Sequence, residues 1–254
     1  MRSIWKGAIG FGLVNIPVKL FSAVQNSNLD LDMLDGKDLS KIKFQRVSES
    51  TGKEVPYDRI VKGFLLKDNY VVLEDDDFAG AMPEKTKLIE LENFVDISEI
   101  NPIYYETSYY TQPEPQGKKA YALLLKALQK SKKAGVARFV LRSTENLCVI
   151  HPLGNVLVIT KIRFDEEIRS SKEIEADLQT VKPKELEVGM ALIKQYSSDF
   201  DISAFKDEYS KELMKIIRAK AKGKKTVVKK MRPEKRSSDD LYEQLMQSLS
   251  KKGA

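Results

Sequence analysis

The chain has 254 residues, 42% of them hydrophobic and 31% charged, with a formal net charge of +6. That size allows one sizeable core with appendages, and that composition fits a folded protein rather than a disordered one. No apolar run approaches the roughly 18 residues a membrane helix needs; a lone cysteine, Cys148, excludes an internal disulfide, and a lone histidine, His151, nearly excludes a His/Cys zinc site.

The first stretch, "MRSIWKGAIGFGLVNIPVKLFSA", reads as a strand from Ile9 to about Ala23, with Asn15 and Pro17 as irregularities. No secretory leader is read there, because Lys6, Asn15 and Lys19 interrupt the apolar residues. Residues 35–64 are polar and carry turn formers at Asp35–Gly36, Gly52 and Pro56. Lys41, Lys43 and Arg46 precede the central turn, and Lys53, Arg59 and Lys62 follow it. This pattern predicts two extended stretches around a turn, projecting from the core; a core hairpin would need a more apolar face. "YVVLEDDDF" and "TKLIELENFVDI" are apolar enough for strands. Glu74, Asp75, Asp76 and Asp77 cannot all converge on one ion, so an acidic turn or helix start is preferred to a metal site. Tyr104, Tyr105, Tyr109 and Tyr110 could stack on bases, but their strand-like context favours sheet packing.

"KAYALLLKALQKSKKAG" is an amphipathic helix with Ala120, Leu123, Leu124, Ala127 and Leu128 on its apolar stripe and Gly135 as its stop. "VARFVLR" then alternates, with Ala137, Phe139 and Leu141 on one face and Arg138, Val140 and Arg142 on the other. "LCVI", a turn at Pro152–Gly154–Asn155, and "VLVITKIRF" predict a hairpin whose second strand puts Lys161 and Arg163 on one face. After Pro183 the chain becomes helical: Leu186, Met190 and Ile193 mark one stripe, and Phe205, Tyr209, Leu213 and Ile216 mark another that ends at Gly223. Residues 223–236 form a basic linker with no apolar period. In 237–254, Ser237 and Asp240 fit a capping box, and Leu241, Leu245 and Leu249 recur beside Tyr242 and Met246. A short amphipathic helix beyond a linker reads as a docking helix for a partner's groove; the alternative is a tail that folds back on the core.

Charge is segregated along this plan. The stretch 118–144 carries +8 and 218–236 carries +9, which leaves a net −11 elsewhere. Segregation of this kind points to a polyanion.

"IWKGAIGFGLVNIPVKLFSA", "GKEVPYDRIVKGF", "KAYALLLKAL", "ARFVLRS" and "DDLYEQLMQSL", in this order and over nearly the whole chain, resemble the bacterial Ku proteins of double-strand-break repair. The resemblance implies a mixed β/α fold: a Ku-type β-barrel core over 1–222 with a DNA-encircling arm at 35–64, a helical segment at 183–222 and a short C-terminal tail. It implies a homodimeric ring that binds double-stranded DNA ends without sequence specificity, hydrolyses nothing and needs no cofactor or metal. It further implies recruitment of a multi-domain ATP-dependent DNA ligase for non-homologous end joining, in the bacterial cytoplasm at the nucleoid. Phosphate contacts are then expected from Lys41, Lys43, Arg46, Lys53 and Arg59 on the arm and from Lys118, Lys119, Arg138 and Arg142 on the barrel. Lys222, Lys224, Lys225, Lys229 and Lys230 are expected to retain DNA, and Leu241, Tyr242, Leu245, Met246 and Leu249 to contact the ligase. Many family members carry Cys-x-x-Cys-Gly in the arm; here "VSESTG" puts Ser48 and Thr51 at those places, so no metal or disulfide role of that pair applies. Two other classes remain open at this point: an RNA-binding barrel, and a nucleic-acid-processing enzyme using the acids around Asp75–Asp77.

Overall fold

The computed structural model describes residues 1–81, 87–142, 144–174, 179–224 and 241–251. The chain divides into two compact units, Met1–Asn26 with Leu31–Ser170, and Ser27–Asp30 with Ser171–Ala254.

The first unit is built on a closed barrel. The opening stretch is two strands rather than one: β1 (Trp5–Phe11) and β2 (Val14–Ser22) pair antiparallel across a turn at Gly12, whose φ of +58° suits glycine. Leu13, at the tip, is fully exposed. Pro17 is accommodated because β2 pairs with its other neighbour only from Val18 onward, so its missing N–H falls at the ladder's end. The arm follows, then β3 (Lys62–Leu66), β4 (Asn69–Leu73) and α1 (Asp75–Ala81). The strands β5 (Leu88–Asp96), β6 (Tyr105–Pro113), β7 (Lys133–Leu141), β8 (Thr144–Leu153) and β9 (Val156–Ile162) complete the barrel, with α2 (Lys118–Ser131) between β6 and β7. Strand order is β1-β2-β6-β9-β8-β7-β5, and a parallel pairing of β5 with β1, Ile89 against Ile9, closes it. Closure leaves the barrel without an exposed edge.

Alternation along each strand fills the interior. Ile9, Ile16, Leu20, Ile89, Ala137, Phe139, Cys148, Ile150, Leu157 and Ile159 form one buried cluster with Tyr121, Leu124, Leu125 and Leu128 of α2. Each such large side chain contributes about 1.5–3 kcal/mol on burial. The face of α2 that packs is rotated from the expected stripe: Leu123 and Ala127 are exposed, while Tyr121 and Leu125 are buried. The reason is the Tyr121 hydroxyl. It donates to the Thr111 carbonyl at 3.2 Å and accepts from the Leu157 backbone at 2.7 Å, tying α2 to β6 and β9. Thr111 Oγ1 in turn donates to the Leu157 carbonyl at 2.7 Å. The helix also ends earlier than Gly135: Lys132 takes the left-handed conformation at φ +58°, and Gly135 lies inside β7, where a Cβ would collide with Leu91. Trp5 belongs to the same core. Its Nε1 donates to the Val140 carbonyl at 3.1 Å, and its ring meets Phe139 edge to face at 6.4 Å. Gly7 is required beside it, since a Cβ there would overlap the Trp5 ring and the Lys87 carbonyl. The hairpin read around Gly154 is present as β8 and β9, with Gly154 at φ +54°. A smaller cluster of Ala134, Val149 and Ile162 is covered by Ile100, Tyr104, Tyr105 and Leu147.

The second unit contains α3 (Pro183–Tyr196), α4 (Glu208–Ala221) and α5 (Leu241–Lys251). Two expectations change. The second helix begins at Glu208 rather than near Asp201: Asp207 caps it by accepting from the Ser210 backbone at 2.9 Å, and Phe205 lies before it, stacked on Phe200. On α3, Leu186, Met190 and Ile193 are exposed, and the half-buried face is Glu185, Val188, Gly189 and Leu192.

Candidate nucleic-acid interface

The arm over 35–64 has no buried residue. Its backbone is held by two isolated bridges, Leu34 to Lys41 and Val47 to Glu54, and by a turn at Gly52 with φ +63°. Ser48 and Thr51 stabilise that turn with ordinary hydrogen bonds. The Ser48 backbone donates to the Lys53 carbonyl at 2.9 Å and its hydroxyl meets Ser50 Oγ at 3.0 Å, while Thr51 Oγ1 accepts from the Lys53 backbone at 3.4 Å. Lys41, Lys43, Arg46, Lys53 and Arg59 are all exposed along this arm. Lys41 pairs with Asp32 at 2.8 Å, and the Arg46 guanidinium lies 5.2 Å from the centre of the Tyr57 ring.

The last residues of the arm enter β3, which forms a hairpin with β4 around Lys67, at φ +56°. Phe64, Leu65, Leu66, Tyr70, Val71 and Val72 are all exposed on it. Asp75, Asp76 and Asp77 form the first turn of α1, where Asp77 accepts from the Glu74 backbone at 2.8 Å and the negative charge suits the helix dipole. Among the described residues no three His, Cys, Asp or Glu side chains gather as a metal site.

The barrel cations separate into two kinds. Lys118 and Lys119 are exposed in the first turn of α2, at the positive end of the helix dipole. Arg142 is exposed but lies in the turn after β7, with φ +52°, so it does not share a strand face with Arg138. Arg138 sits among acids: its guanidinium is 3.0 Å from Glu92 and 3.6 Å from Glu145, and Glu90 is its partner across β5. Lys161 and Arg163 do share a face, and both bind Glu106, each at 2.8 Å, with the Glu106 side chain only 16% exposed. Lys161 continues the inward alternation of Leu157 and Ile159, so this triad belongs to the end of the barrel interior. These acids were invisible to sequence reasoning because their role depends on cross-strand register. The only available signal was the lone Glu106 within a tyrosine-rich strand.

Lys222 and Lys224 are exposed after α4, whereas Lys225, Lys229 and Lys230 lie outside the described residues, as do Ser237 and Asp240. Leu241, Tyr242 and Met246 are exposed on α5, and Leu245 and Leu249 are half-buried.

Among the described residues the lone cysteine and the lone histidine are not set up as a nucleophile and its base. Burial, and to a lesser degree the Glu92 charge, pushes the Cys148 thiol far above its ordinary range. His151 Nε2 lies 3.2 Å from Thr160 Oγ1, but Thr160 is buried and also bonded to Ser108 at 3.0 Å. A groove of about 830 Å³ beside α2, lined by Phe21, Tyr110, Tyr121 and Leu125, has no lysine or arginine in its wall.

The family profile described as "Ku70/Ku80 beta-barrel domain" matches residues 10–188, which run from the end of β1 through the arm and the other six barrel strands to the start of α3. The chain belongs to the Ku family. Among curated proteins it is similar to the non-homologous end joining protein Ku of Opitutus terrae, at 36% identity over all of this chain and 93% of that one. The Ku of Archaeoglobus fulgidus is 37% identical, over 90% of this chain and 91% of its own. The Ku of Coxiella burnetii is 34% identical, over 89% and 85%. Membership assigns the seven-stranded barrel to the Ku β-barrel and places the arm within the matched residues.

Proposed function

We propose that two copies of this chain close a ring around duplex DNA, grip its end through phosphate contacts, and recruit an ATP-dependent DNA ligase for end joining without catalysing a reaction. The observation that carries this reading is the arm. A segment with no buried residue serves no core, yet it holds Lys41, Lys43, Arg46, Lys53 and Arg59 in water, the arrangement a sequence-indifferent grip on phosphates requires. One arm cannot encircle a duplex, which calls for a second. The β3–β4 hairpin supports that step: a lone two-stranded sheet is marginal in water, and its exposed apolar residues need a partner surface. The curated relatives' name, end joining, supports duplex ends as the target. Among the described residues no helix is long and apolar enough to cross a membrane, and the proposed place of action is the bacterial cytoplasm at the nucleoid.

Competition between linear duplex, relaxed circular duplex and single-stranded RNA over a salt series tests this reading. Linear duplex is expected to win, with affinity falling by about 0.9 log units per log unit of salt for each neutralised phosphate. Equal affinity for the relaxed circle defeats threading, and preference for RNA moves the function to a different class.

A further inference from the structure

We infer that α3 holds the docking helix α5 in cis, and that a ligase must displace α3 to engage it. This rests on the reading of α5 as the ligase contact. With 11 residues, α5 is too short to be a stable helix alone in water. It is folded here against α3, with which it packs. The half-buried residues of α3, Glu185, Val188, Gly189 and Leu192, fall at i, i+3, i+4 and i+7, on one face. Gln195 extends that face, and its Nε2 donates to the Leu249 carbonyl at 3.4 Å. Over 241–249 the half-buried residues of α5 are Gln244, Leu245, Ser248 and Leu249.

The fit is incomplete, which makes the contact a latch. At about 100° per residue, Leu241, Tyr242, Leu245, Met246 and Leu249 span an arc of about 140° on α5. The half-buried set is centred on one edge of that arc. Tyr242 and Met246, on the other edge, stay exposed, as does Leu241 in the first turn, and a groove of about 630 Å³ opens between Tyr242 and the start of α3 at Lys182–Glu185. A partner groove that takes the whole arc buries Tyr242 and Met246 as well as Leu245 and Leu249, and so outcompetes α3. The exposed edge offers a first foothold. Ligase affinity is then set by the fraction of time α5 is free.

The test uses the full chain carrying Val188→Glu and Leu192→Lys, an i, i+4 pair that keeps α3 helical while removing its apolar face. Amide exchange across 241–251 is expected to accelerate, and affinity for the cognate ligase, measured without DNA, to tighten about tenfold if α5 is free about a tenth of the time. The converse variant joins Gln195→Cys to Leu249→Cys with a bis-maleimide; Cys148 is buried and stays unmodified. Cross-linking takes the free fraction of α5 to near zero and is expected to abolish ligase binding relative to the same variant before cross-linking. Unchanged exchange in the α3 variant overturns the latch, as does ligase binding undiminished by the cross-link. Weaker ligase binding in the α3 variant also overturns it, by making α3 part of the ligase surface. Leu241→Asp with Leu245→Asp separates the two readings. If it leaves ligase binding intact, α5 is not the ligase contact and the competition falls with it, whatever the exchange data show.

Discussion

Arg138 and Arg59 look alike in sequence, each a cation in a basic neighbourhood, and the fold separates them. Arg138 is flanked by Glu92 and Glu145 with Glu90 across the strand, so a phosphate approaching it meets net negative charge. Arg59 stands exposed on the arm. Arg138→Gln is therefore expected to leave duplex affinity within about twofold, the scale of a screened surface charge. Arg59→Gln with Lys53→Gln is expected to weaken binding and to lower the salt slope by up to about 1.8, two phosphates' worth. Binding titrations at four salt concentrations check both; a large loss at Arg138 would show that the barrel's outer face touches DNA. Cys148 gives a prediction on stability. Burial raises its folded pKa above the unfolded value of 9.0, so the unfolded thiol ionises where the folded one cannot. Stability from this group is complete below pH 9.0 and declines above it, by about 1.4 kcal/mol per pH unit. Denaturant titrations of the chain and of Cys148→Ala at pH 7 and pH 10.5 are expected to show the extra alkaline loss in the native chain alone.

At the scale of elements, the β3–β4 hairpin is the clearest test of assembly. Phe64 and Val71 are directly opposite each other and both exposed. Phe64→Lys with Val71→Glu replaces an apolar pair by an opposite-charge pair, which keeps the two strands together while removing the surface a second copy would cover. Light scattering is expected to find a monomer at micromolar concentration, with the barrel's circular dichroism unchanged. A dimer that persists would move the interface off the hairpin. Local pattern was legible for other elements because the signal was local. The β8–β9 hairpin shows a glycine turn between alternating runs, and α2 shows its period of 3.6. Where local signals competed, reading failed. The stretch from Ile9 to Ala23 read as one strand with irregularities at Asn15 and Pro17, because the hairpin that divides it has only Gly12 and Leu13 as its loop. The burial of α2 turned toward Tyr121 because the Tyr121 hydroxyl finds Thr111 and Leu157, residues remote in sequence. The ion pairs of Glu106 with Lys161 and Arg163 were illegible for the same reason.

For the whole molecule, the unequal distribution of charge assigns different work to different regions. The tail stretch 218–236 carries +9, and 237–254 carries an apolar stripe in which Asp239, Asp240 and Glu243 offset Lys251 and Lys252. Phosphate attracts the first and has little to gain from the second, whereas a protein groove has the opposite preference. Replacing Lys222, Lys224, Lys225, Lys229 and Lys230 with glutamine is expected to weaken DNA retention and to lower the salt slope by up to about 4.5, at 0.9 for each lost phosphate contact. Ligase binding measured without DNA is expected to be unchanged in that variant, because Leu241, Tyr242, Leu245, Met246 and Leu249 are untouched. Leu241→Asp with Leu245→Asp is expected to do the reverse, losing ligase while holding DNA with its slope intact. Crossing the two variants makes the separation quantitative: the combined protein should lose both properties by the same factors as the single variants, since independent contacts add. A five-lysine variant that keeps its salt slope would place all DNA contacts on the arm and barrel and leave the basic stretch with no phosphate to hold.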